Sequence, residues 1–81
     1  MDFFDDWAED IYKNTFDEMY DALVDQYKSG KLNIEDLERN VKEQQQILLN
    51  SLHEGENKNT YNTAVVDAHE FVLSLIKKGS I

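Results

Sequence analysis

The sequence predicts an all-α protein, a small antiparallel bundle of three helices. Three observations point there. The 81 residues contain no proline, they are rich in Leu, Glu, Lys and Gln, and three glycines at 30, 55 and 79 fall where helix ends are expected. Apolar residues recur at helical spacing between those glycines. The predicted organisation is one domain over residues 1–81, with helices at about 3–28, 34–53 and 60–78 joined by short connections in an up-down-up order.

The first segment has two apolar faces. At about 100° per residue, Phe4, Trp7, Ala8 and Ile11 share one side, while Phe16, Met19, Tyr20, Leu23 and Tyr27 share another, rotated by roughly 100° or more. Thr15 stands three residues before Glu18, the spacing of a capping box. Two alternatives follow: a kink or break near residues 13–15 that turns both faces to one core, or a straight helix that gives Phe3, Phe4 and Trp7 to a partner.

The second helix has the clearest start. Asn33 suits the N-cap, Glu35 and Asp36 place carboxylates at the positive end of the helix dipole, and Leu32 and Leu37 have the spacing of a hydrophobic staple. Ile34, Leu37, Val41, Leu48 and Leu52 form a narrow stripe, and Gly55 fits the position beyond a C-cap at His53-Glu54. The Gln44-Gln45-Gln46 run interrupts the stripe, which predicts for Gln45 either a site at the core boundary with its amide hydrogen-bonded or a polar layer that fixes register. Gly55 to Asn59 reads as a loop. The third helix then presents Tyr61, Ala64, Val65, Ala68, Val72, Leu75 and Ile76 as a broad apolar face, with Lys77 and Lys78 at its negative end. Val66, His69 and Leu73 lie off that face. Together with Ile47 they predict a second buried surface, open to a partner.

Charge narrows the function classes. Seventeen acidic and eight basic residues leave a net charge of −9, which repels nucleic-acid backbones and anionic membranes. Residues 1–30 hold nine of the acids against two lysines. Asp10, Asp17, Glu18, Asp21 and Asp25 line one side of the first helix, readable as a solvated face or as a docking surface for a basic partner. Seven of the nine aromatics also lie within the first 27 residues, more than two short helices can bury. Phe16, Tyr20 and Trp7 are the expected core members; Phe3, Phe4, Tyr12 and Tyr27 are expected to stay partly exposed.

Catalytic chemistry has no visible basis: no glycine elbow, no phosphate loop and no His-rich metal spacing. His53 and His69 lack ligand partners at helical spacing, and the pattern of a calcium-binding loop is missing. No cysteine is present to staple the fold or to mark an oxidising compartment. The acidic start and the lack of a long apolar run predict a cytoplasmic chain with no membrane association.

The functional expectation is therefore a non-catalytic interaction module without cofactor: a small acidic adaptor or regulator that binds a protein partner, itself as a homodimer, or both. The alternative is an acidic decoy that blocks a nucleic-acid-binding protein, of the kind small phage and mobile-element proteins supply. The interaction residues predicted are Asp10, Asp17, Glu18, Asp21 and Asp25 on the acidic face, and Phe3, Phe4, Trp7, Ile47, Val66, His69 and Leu73 on the apolar one.

Overall fold

A computed structural model describes residues 3–51 and 56–81, with side chains described from residue 9 onward apart from those of residues 56 and 57. It holds three helices: α1 (Phe3–Lys28), α2 (Ile34–Asn50) and α3 (Glu56–Lys77). The chain belongs to the all-α class and forms a small helical bundle.

α1 is one unbroken helix of 26 residues, so residues 13–15 do not form a junction. The reason lies in its aromatic ridge. Tyr12, Phe16 and Tyr20 are spaced four apart and stack on one another, with ring centroids 6.1 and 6.4 Å apart. Rings at i and i+4 are neighbours only on a continuous helix, and this pair of stacks spans the Lys13-Asn14-Thr15 stretch. α1 ends where Gly30, at φ 81°, takes the left-handed conformation that residues with a Cβ resist. There the amides of Gly30 and Lys31 donate to the carbonyls of Tyr27 and Gln26, the two bonds of a Schellman motif.

α2 begins as expected. Asn33 is the N-cap and its side-chain oxygen accepts from the Asp36 amide at 2.8 Å. Leu32 and Leu37 are both buried. The helix stops at Asn50, short of the predicted residue 53, because Ser51 closes it: its amide donates to the Ile47 and Leu48 carbonyls, and its hydroxyl bonds the Leu48 carbonyl at 3.0 Å. Leu52, His53, Glu54 and Gly55 lie outside the described residues.

α3 runs from Glu56, earlier than the predicted residue 60. Glu56 to Asn59 read as loop because Asn favours turns. Without proline or glycine among them, however, the cost of a helix is only a few tenths of a kcal/mol per residue, and Glu56 suits the positive end of the dipole. At its other end Gly79, at φ 74°, repeats the Schellman arrangement, with Gly79 and Ser80 amides donating to Ile76 and Leu75.

Helix directions follow from the cross-helix pairs. Tyr12 meets Asp67 and Phe16 meets Phe71, so α1 and α3 run parallel. Ser51 meets Asn62, Gln45 meets Glu70 and Glu38 meets Lys77, so α2 and α3 run antiparallel. α3 packs against both other helices, whereas α1 and α2 do not approach each other along their lengths among the described residues. The three elements join in a core of Leu23, Leu32, Leu37 and Val72, capped by Met19, Tyr20, Val24, Leu73, Ile76 and Ile81. α3 is thus the central helix, and this explains its composition: one side must fit α1, the opposite side α2, and Ala64, Ala68 and Val72 are buried within it. Ala at 64 and 68 allows close approach without voids.

Candidate functional site: an aromatic seam beside an acidic ridge

The side of α3 that carries Asn62, Val66, His69, Leu73 and Lys77 lies within about 80° of arc, and it is the side that meets α2. Val66 and His69 are each only 5% exposed, covered within the chain rather than offered to a partner. The predicted second buried surface is therefore the seat of α2. His69 Nδ1 lies 2.7 Å from the Val65 carbonyl, a backbone contact that satisfies one ring nitrogen. Nearby, Asn62 donates to the Ser51 hydroxyl at 2.8 Å in a buried setting, and Gln45 donates to Glu70 at 2.7 Å, on the surface rather than at the core boundary predicted for it. Leu73 is half-buried and borders a shallow open depression of about 340 Å³ with Glu70, Ser74, Lys77 and Lys78. Ile47 is exposed, as are Leu49 and Tyr61. Tyr61 thus lies outside the core face predicted for it. The side chains of Phe3, Phe4 and Trp7 fall outside the described residues.

The other side of α3 meets α1 and builds a different surface. Phe71 tilts against both Phe16 and Tyr20, with centroids at 5.8 and 5.7 Å, and it remains 46% exposed. Tyr12, Phe16, Tyr20 and Tyr27 are half-buried. The Tyr12 hydroxyl donates to Asp67 Oδ2 at 2.5 Å. That bond, together with burial and the Asp67 charge, pushes the Tyr12 hydroxyl up to about 12 because ionisation would lose a donor and face a carboxylate. Rings from α1 and α3 form a continuous seam, pinned at one end by this hydrogen bond.

Beside the seam stands the acidic side of α1. Asp10, Asp17, Glu18, Asp21 and Asp25 are all exposed, as is Glu9. Glu9, Lys13 and Asp17 are spaced four apart and occupy the ridge next to Tyr12, Phe16 and Tyr20, since each lies three residues before one of those rings. The structure thus puts the acidic face and four aromatic rings on one flank of the molecule. Phe71 and the Tyr12–Asp67 bond were not legible in the sequence. The available signal was the i, i+4, i+8 row of Ala64, Ala68 and Val72 with Asp67 and Phe71 to one side, which marks a second helix-facing surface.

Among the described residues no group of three or more His, Asp, Glu or Cys side chains could hold a metal ion, and no helix is long and apolar enough to cross a membrane. Fold and surface together define a small all-helical bundle protein. The chain belongs to the Lambda phage tail tape-measure protein family, whose profile matches residues 1–51. That match covers α1, the Asn33-capped turn and α2 up to its C-cap at Ser51, and leaves α3 outside. No curated protein matches the chain, and no solved structure does.

Proposed function

We propose that the chain is a non-catalytic protein-binding module of phage tail assembly, a small acidic adaptor or regulator rather than the measuring element itself. Family membership supplies the setting. The observation that carries the distinction is dimensional: as one continuous helix, 81 residues would extend about 120 Å, but α1 and α2 both pack on α3 and the molecule measures 41 Å in its longest direction. A ruler gains length per residue, whereas a bundle gains surface. The surface here is an acidic ridge with exposed aromatic area, and both are features of recognition sites.

A second reading has a specific support. All five acids predicted on α1 are exposed, which suits a decoy that occupies the basic groove of a nucleic-acid-binding protein. Self-association is the third possibility, through Ile47, Leu49 and the aromatic seam.

Affinity capture on the intact chain from a nuclease-treated lysate of the source organism, eluted in salt steps, separates them when combined with a mass measurement by light scattering. A partner among tail proteins supports the adaptor. A nucleic-acid-binding protein released by about 0.5 M salt, where exposed charges are screened within a few ångströms, supports the decoy. A concentration-dependent mass supports self-association, and a monomer that retains nothing refutes the reading.

A further inference from the structure

We infer that the seam of Tyr12, Phe16, Tyr20 and Phe71, with the carboxylates beside it, is the docking site for a cationic amphipathic helix of a partner protein. This rests on the reading of the chain as a binding module and names the chemistry of what it binds.

Single exposed aromatics on a small protein need no explanation. Four rings in contact, drawn from two helices, with centroids 5.7 to 6.4 Å apart, are a different matter. They form one apolar strip that stays open to solvent at Phe71. From Tyr12 to Tyr20 the strip runs about 12 Å along α1, two turns of a partner helix whose apolar residues recur at i, i+3 or i+4, and i+7.

Charge selects among the possible occupants. Exposed Glu9, Asp17 and Asp21 stand on the adjacent ridge and Asp10 on the one beyond, with Lys13 as the cation among them. Lys or Arg residues flanking the apolar face of an incoming helix would pair with these carboxylates, and a guanidinium lying over the Tyr or Phe rings gains a cation–π contact. A second copy of the chain fits less well, because seam-to-seam association brings the acidic ridges of two molecules of charge −9 together. Nucleic acid is repelled by the same carboxylates.

The test uses the full chain and fluorescence anisotropy with a labelled synthetic Leu/Lys amphipathic helix of about 14 residues, roughly four turns. A scrambled peptide of equal charge without the apolar face, and a Leu/Glu counterpart, serve as controls. The ordered Leu/Lys helix is expected to bind, with the scramble at least about tenfold weaker and the Leu/Glu peptide silent. Phe71→Ser, at a half-exposed site, is expected to weaken binding roughly tenfold, the scale of a lost aromatic anchor. Glu9→Gln with Asp17→Asn should weaken it several-fold, while Glu35→Gln with Glu43→Gln, the same change in net charge on α2, should leave it unaltered. Equal binding of the scramble, or equal effects of the two double variants, would show attraction to bulk charge only and overturn the site. These paired comparisons use exposed side chains and hold even if Phe71→Ser loosens the fold. If the captured tail partner is retained by Phe71→Ser and by Glu9→Gln/Asp17→Asn, the chain is still a binding module and this seam is not its site.

Discussion

Leu37→Ala is the sharpest probe of the three-helix junction. Leu37 is fully buried, and it meets Leu23, Leu32 and Val72 where α1, the turn, α2 and α3 converge. Truncation removes the transfer energy of the lost carbons and leaves a cavity that three separate elements would have to collapse around. Leucine-to-alanine changes at such sites cost about 3 kcal/mol, in a span of roughly 2 to 5. A chain of this length is stable by about 4 to 12 kcal/mol, so the variant loses between a quarter and most of its stability. The melting temperature should drop by about 12 to 24 °C, taking ~4 to 8 °C per kcal/mol for a domain of this size. The assay is urea and thermal unfolding followed by far-ultraviolet circular dichroism, with Leu49→Ala as the internal control. Leu49 sits on the same helix but is 61% exposed, so its truncation should change stability by no more than about 0.5 kcal/mol. Equal losses in the two variants, or a loss below about 1 kcal/mol at Leu37, would refute the placement of α3 against the α1–α2 turn.

Three further outcomes are expected. Asn33→Ala removes the acceptor for the Asp36 amide and should cost about 1 kcal/mol, measured by the same urea titration, with no change in the slope. Gly79→Ala meets no atom within 4 Å of the added Cβ, so its expected cost of about 1 kcal/mol is purely that of holding alanine at positive φ; a neutral result would mean the last turn is not fixed. Tyr12 should ionise well above the usual tyrosine range. Its hydroxyl is raised from 10.0 to about 12 by the bond to Asp67, then by burial and by the Asp67 charge. The stability this contributes is complete below pH 10 and is lost as pH rises through about 12. An absorbance titration of tyrosinate should lose its highest step in Tyr12→Phe, and persistence of that step would assign it to another ring.

Much of the fold was legible in residue order because its signals are local. The N-cap, staple and acidic first turn at Asn33 to Leu37 act within one turn of backbone, and the structure shows each of them in place. The two left-handed glycines act the same way, since only glycine takes that conformation at no cost. Glu56 to Asn59 misled because turn preference is weak, a few tenths of a kcal/mol, and yields to a helix that continues into packed turns.

What the sequence could not determine is which apolar surface meets which. Val66, His69 and Leu73 stood out as surplus on α3, and by pattern alone a seat for α2 and a face for another molecule are identical. The tertiary structure decides: α3 lies between two helices, so it needs apolar residues on both sides. Phe71 illustrates the converse, an ordinary helix residue by sequence whose meaning comes from Phe16 and Tyr20, fifty-five and fifty-one positions away. By itself the sequence determined helix class, the Asn33 cap, the glycine-closed ends of α1 and α3 and the acidic side of α1, each a property of neighbours along one chain. Only the tertiary structure decided that α1 continues through residues 13–15, that α3 is central, and that four rings join beside the carboxylates. Those outcomes depend on contacts between residues far apart in the chain, whose energies no single segment contains.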